Sequence, residues 1–212
     1  MRRDVCSGGS VEQKTSATVV MNGDVENDFC WQWLFSPEIL KAIDWEKRSA
    51  TFKHGISPTN PGDDLVLRPL CISDFELGVM DLLSQLTITG NVSLDAFQSQ
   101  FKLMTQCPNT YYIIVIEDTV INRIIGCGTL VVEYKFIHST GLRGRIEDIV
   151  VSDEYRGKQL GKLLLETLTL LGKAVGCYKM SLECKDHLVD FYTQFGYKKD
   201  VGNNFIVQRF KE

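Results

Sequence analysis

Apolar and polar positions separate this chain into a polar beginning and a strongly patterned remainder. Residues 1–33 are rich in Gly, Ser, Thr and Asn and show no sustained period, so a disordered N-terminal extension is expected. Trp31, Trp33, Leu34 and Phe35 run against that reading, because large aromatics close together need something to pack against. Ser36-Pro37-Glu38 reads as a helix start with Pro at the first helical position. Residues 46–64 are polar and carry Pro58, Pro61 and Gly62, so 34–63 is read as an N-terminal helix and connecting arm.

From residue 64 the pattern tightens, and 64–212 is read as one compact domain. Leu65–Leu70 predicts a strand. Ser73 or Asp74 can cap a helix to about Leu86, and Ser93 caps a second with Leu94, Phe97, Phe101 and Met104 on one face. Strands are predicted at Tyr111–Glu117, Ile124–Phe136, Arg145–Val151, Tyr178–Cys184 and Asn204–Phe210. Helices are predicted at Leu160–Val175 and Val189–Phe195. The fold class is therefore α/β, with a mixed central sheet flanked by helices.

Composition narrows the function classes. The 212 residues are 44% hydrophobic, enough for one sizeable core, and 23 Lys+Arg against 27 Asp+Glu leave a net charge of −4. No global basic field recruits nucleic acid. No run approaches the ~20 apolar residues of a membrane span, which leaves only peripheral membrane association open. The 7 cysteines include no CxxC pair, so reduced thiols, a cytoplasmic location and no metal are expected.

Candidate chemistry concentrates at the end of the fourth predicted strand. Ile149-Val150-Val151 leads through a polar turn to Arg156-Gly157-Lys158-Gln159-Leu160-Gly161-Lys162 and the Leu-rich helix. Unpaired N–H groups at such a helix start, together with the helix dipole, form an anion site, and Lys158 and Lys162 add charge. A P-loop is excluded because no GK[ST] follows. Glu147 and Asp148 sit inside the preceding strand, where charges must be paired or used. Neighbours on a regular strand face opposite ways, so both acids face one cavity only if the strand bulges. The alternative is a structural salt bridge from one of them to Arg143 or Arg145.

These residues resemble those of a known superfamily. Arg156 and Gly161 fit the acetyl-CoA signature of the GCN5-related N-acetyltransferases, with Gln159 standing at the first glycine position. Phe191-Tyr192-Thr193-Gln194-Phe195-Gly196-Tyr197 is similar to that superfamily's FYxxxGF/Y motif. Leu188 departs from the Asn that many members carry before it. Leu86-Thr87, Lys135-Phe136-Ile137-His138, Glu147-Asp148-Ile149, Leu182-Glu183-Cys184 and Gln208-Arg209 resemble the glucosamine-6-phosphate N-acetyltransferases in order and spacing, from about Phe35 onward.

The resemblance implies a GCN5-related fold and acetyl transfer from acetyl-CoA to the amine of D-glucosamine 6-phosphate, a step toward UDP-N-acetylglucosamine. It implies that Thr87, Lys135, Phe136, Ile137, His138, Glu147, Asp148, Ile149, Glu183, Cys184 and Arg209 line the sugar-phosphate site. Acetyl-CoA would lie on Ile149–Val151, Gly157–Lys162 and Tyr192. Tyr192 would face the thioester sulfur, with Glu147, Asp148 and Glu183 as the acids nearest the chemistry. Lys135, His138 and Arg209 suit a phosphate. Cys184 has no His at readable spacing and is read as lining, not nucleophile. The resemblance further implies a homodimer whose C-terminal strand crosses to the neighbour. Two other readings stay open: an acetyltransferase for another small amine, and a non-catalytic CoA-binding module.

Overall fold

The computed structural model describes residues 32–53 and 55–210. The expectation of disorder for 1–33 falls, up to residue 31, outside the described residues, as does Trp31. Five strands form one sheet in chain order: β1 (Leu65–Pro69), β2 (Tyr111–Asp118), β3 (Arg123–Tyr134), β4 (Leu142–Val151) and β5 (Cys177–Leu182). β1 to β4 are antiparallel neighbours, and β5 joins β4 in parallel. A parallel pair needs a crossover, and the Leu-rich segment supplies it.

The helices are α1 (Glu38–Lys41), α2 (Val79–Ser84), α3 (Leu94–Thr105), α4 (Ile137–Thr140), α5 (Leu160–Ala174) and α6 (Val189–Thr193). Alternation along β2 sends Tyr112, Ile114 and Ile116 to the α5 face, where they meet Leu163, Leu164, Leu168 and Leu171. Val115 faces the other way, into a second cluster with Val79 and Leu82 of α2 and Phe101 of α3. The sheet is thus covered on both faces, which is why β2 and β3 read as nearly continuous apolar runs.

Two predicted elements change. The helix expected from Ser73 or Asp74 to Leu86 is broken: a 3-10 turn over Ile72–Phe75 precedes α2, and Gly78 between them is left-handed (φ 79°). Asp74 is not a free cap. It is fully buried, pairs with Arg68 at 2.7 Å and accepts the Cys71 N–H. The strand expected at Asn204–Phe210 does not form. That segment is exposed and pairs with no strand, although Phe205, Ile206, Val207 and Phe210 have strand-like composition.

The aromatic N-terminal cluster docks on the domain. Trp33 bridges Cys71 and covers the Arg68 guanidinium at 5.3 Å, Leu34 is buried, and Phe35 meets Tyr112 edge-on at 5.1 Å.

Candidate active site

The site begins where β4 and β5 part. Their ladder ends at Ile146↔Leu182, yet β4 runs on through Glu147–Val151 with only β3 beside it. Here β4 bulges: Thr129 pairs with Glu147 and Cys127 with Val150, so β4 carries one residue more than β3. Asp148 takes a left-handed φ of 54°, a costly conformation for a residue with a Cβ. Gly128 makes room on β3, since a Cβ there would sit 2.8 Å from Ile149 Cδ1 and 3.0 Å from Leu168 Cδ1. Ser152 N–H bonds Ile125 O at 2.8 Å, so by strand alternation the Val151 N–H points away from β3 into the gap.

The two acids have different surroundings at the bulge. Arg145 hydrogen-bonds both Glu147 and Glu183, tying β4 to the residue that follows β5. Glu147 is therefore the salt-bridged acid. Asp148 is exposed at the gap and has no ion pair among the described residues. Protein atoms crowding its carboxyl raise its pKa, and the neighbouring charge of Glu147 raises it further.

Beyond β4 the chain makes a 3-10 turn at Asp153–Tyr155 and enters α5 through Gly157 (φ 81°) and Gln159 (φ 63°). Gln159 adopts the left-handed corner for which the superfamily signature has glycine. The N–H groups of residues 157–162 donate to no backbone acceptor among the described residues, and with the α5 dipole they present donors that suit a pyrophosphate. Lys158 stays beside them, its Nζ 4.5 Å from the Tyr155 ring, and Tyr155 donates its hydroxyl to Asp118 at 2.6 Å. Lys162 instead donates to Thr51 O at 2.9 Å.

On the far side of the gap, Tyr192 of α6 is half-buried. It packs edge-on against Phe191 at 5.2 Å and faces Tyr197 at 6.4 Å. Burial raises its pKa, with a smaller contribution from Cys184, so the phenol stays protonated at neutral pH. Glu183, Cys184 and Tyr192 share a groove of about 850 Å³ along the open edge of β5 with residues 196–200 and 203–205.

Other expected residues lie elsewhere. Thr87 follows α2, near Gln85, whose Oε1 accepts the Asp153 N–H at 3.1 Å. Lys135 pairs with Glu133, and the His138 ring lies 4.2 Å from that of Tyr178. Phe136 is 99% exposed and Ile137 64%. This loop sits at the start of β4, and Glu147 is five residues along from Leu142, roughly 17 Å at strand rise. One chain therefore does not bring Lys135–His138 and Asp148 into a single pocket. Arg209 is exposed in the C-terminal segment and has no ion pair among the described residues. Sequence reasoning missed Gly128 and Glu166, and of the two only Glu166 carried a legible signal, as a lone acid within a Leu-rich helix.

A sheet that splays beside a bulge, facing a helix start rich in N–H donors, is the arrangement expected of an acetyltransferase, and the comparisons assign that class. Residues 81–197 match the family model described as the acetyltransferase (GNAT) family. A probable glucosamine 6-phosphate N-acetyltransferase of Drosophila melanogaster is 48% identical over 173 residues, covering 81% of this chain and 78% of the relative. A glucosamine 6-phosphate N-acetyltransferase of Dictyostelium discoideum is 41% identical over 137 residues, 65% of this chain and 87% of the relative. The crystal structure of the Arabidopsis thaliana enzyme of that name superposes with a TM-score of 0.66 at 35% identity, over 69% of this chain and 99% of that one. The chain belongs to the glucosamine 6-phosphate N-acetyltransferase family of GNAT acetyltransferases.

Proposed function

We propose that this protein transfers the acetyl group of acetyl-CoA to the amine of D-glucosamine 6-phosphate, releasing CoA and N-acetylglucosamine 6-phosphate for UDP-N-acetylglucosamine synthesis. The observation that carries this reading is the splayed, bulged β4 set against Tyr192, in a chain whose relatives share that named substrate.

Acetyl-CoA, when bound, supplies a thioester carbonyl open to attack by an amine. The N–H groups of residues 157–162, with Lys158, hold its phosphates. Ile149–Val151 flank its acyl end, and the Val151 N–H is directed to the carbonyl oxygen as negative charge develops there. Tyr192 keeps a proton and delivers it to the departing sulfur. Asp148, the acid without a cation, faces the incoming amine. Glu147 and Glu183, fixed by Arg145, accept hydrogen bonds from the sugar. Cys184 lines the groove.

The phosphate is the part of the substrate that one chain serves least. Lys135, His138 and Arg209 lie apart from Asp148, while the C-terminal segment is exposed and the β5 edge is open. A homodimer accounts for all of this. A second copy's C-terminal segment covers the β5 edge, and its basic groups complete the phosphate subsite. The deciding experiment measures CoA thiol release with glucosamine 6-phosphate, with glucosamine and with a peptide amine. A strong preference for the phosphorylated sugar is expected. Equal rates with glucosamine would remove the phosphate role of the basic residues.

A further inference from the structure

One face of α5 is spent on the N-terminal arm. Gln159, Lys162 and Glu166 stand at i, i+3 and i+7 and so share a stripe. Each takes a backbone group of the arm, in antiparallel order. The Lys53 N–H donates to Gln159 Oε1 at 3.4 Å. Thr51 O accepts from Lys162 Nζ at 2.9 Å. Glu166 receives the Ser49 N–H at 2.7 Å and the Ala50 N–H at 3.2 Å. Phe52 lies under the Lys162 ammonium at 5.3 Å and packs on Trp45 at 5.1 Å. Glu166 is fully buried, so its carboxylate depends on those two N–H donors.

The same stripe begins inside the acetyl-CoA loop. Gln159 holds a left-handed corner that glycine would take freely and glutamine takes at a cost. Its side-chain Oε1 is engaged by the Lys53 N–H of the arm. We propose that the arm segment 49–53, seated on Glu166 and Lys162, is a positioning element of the acetyl-CoA site. It holds Gln159 in its left-handed corner, so arm docking and acetyl-CoA binding stabilise one another. The inference rests on the acetyl-CoA reading of this loop. Linkage requires the effect to be reciprocal: what loosens the arm weakens acetyl-CoA, and acetyl-CoA tightens the arm by the same factor.

The test uses the full chain and acetyl-CoA. In the wild type, acetyl-CoA is expected to slow trypsin cleavage after Lys53 by about five-fold, the lower end of ordinary coupling between sites. By calorimetry, Glu166→Gln raises the acetyl-CoA Kd by a similar factor with kcat at saturation little changed. Gln159→Ala weakens binding and Gln159→Gly recovers part of the loss, since glycine needs no anchor. The double variant Glu166→Gln with Gln159→Ala binds no worse than the weaker single variant. Cleavage unaffected by acetyl-CoA in a wild type that binds it, or fully additive losses in the double variant, overturns the inference alone. A wild type that binds no acetyl-CoA overturns the reading of the loop as well.

Discussion

At the scale of single residues, the site works through groups whose surroundings set their protonation. In the proposed mechanism Tyr192 acts as a neutral phenol, and burial raises its pKa, so activity is expected to hold through neutral pH and to fall only above the ordinary phenol value of about 10. Tyr192→Phe is expected to lower kcat by roughly 10²-fold or more with little change in the KM for acetyl-CoA, and to abolish the alkaline limb of the pH–rate profile. An unchanged kcat would show that the thiolate leaves without this proton. Asp148 shifts in the same direction, and because a carboxyl ionises below neutral pH the shift bears on stability at pH 7. Its folded pKa lies above the unfolded value, so the carboxyl favours folding fully only below the unfolded pKa. That contribution is lost as pH rises through the folded pKa. Asp148→Asn should therefore raise the Tm at pH 7, and the gain should shrink on acidification toward pH 4, within the ordinary carboxylate range. A gain independent of pH would assign the effect to packing. If Cys184 only lines the groove, as proposed, Cys184→Ala keeps most of the turnover; complete loss would make it the nucleophile.

Among elements, β4 carries the design. Its bulge requires an unusual φ at Asp148 and an empty Cβ position at Gly128 opposite. Gly128→Ala overpacks Ile149 and Leu168 and is expected to cost about 1–3 kcal/mol in denaturant unfolding, with a larger fractional loss of kcat than a distant core variant of equal stability. Equal stability in wild type and variant would show that the bulge relaxes freely. The Arg68 network closes the opposite edge, where Arg68 holds buried Asp74 and Glu117 together and Trp33 covers it. Asp74→Ala leaves a guanidinium with half its partners and should cost roughly 3–5 kcal/mol, the usual consequence of breaking a buried pair. A loss below 1 kcal/mol would show that Glu117 alone satisfies the arginine.

For the whole molecule, the C-terminal segment and the β5 edge are the unfinished parts of one chain. A chain ending at Asp200 lacks Phe205, Ile206 and Val207 and is expected to sediment as a monomer with activity lost, while the full chain sediments as a dimer. A fully active monomer would mean that one chain gathers the basic groups unaided. The segment read as a strand because Phe, Ile and Val favour extended backbone. Pairing, however, depends on register with a strand edge, and among the described residues the segment pairs with none.

What the sequence determined by itself was local and periodic. The α5 helix was legible from Leu spacing, β2 and β3 from apolar runs, the Ser93 cap from its side-chain chemistry, and the anion-binding turn from Gly157 and Gly161 beside lysines. Resemblance across separated motifs supplied the substrate class, which no period encodes. Only the tertiary structure decided the rest. It showed which of Glu147 and Asp148 is salt-bridged, because that depends on one extra residue in β4 opposite a glycine on β3. It drew Lys162 to the arm, because Thr51 is near it in space and far from it in sequence. It set Lys135–His138 a strand's length from Asp148. Side-chain pattern reports which face of its own element a residue occupies. The partner across that face is chosen by register, bulges and packing, which are properties of the folded chain.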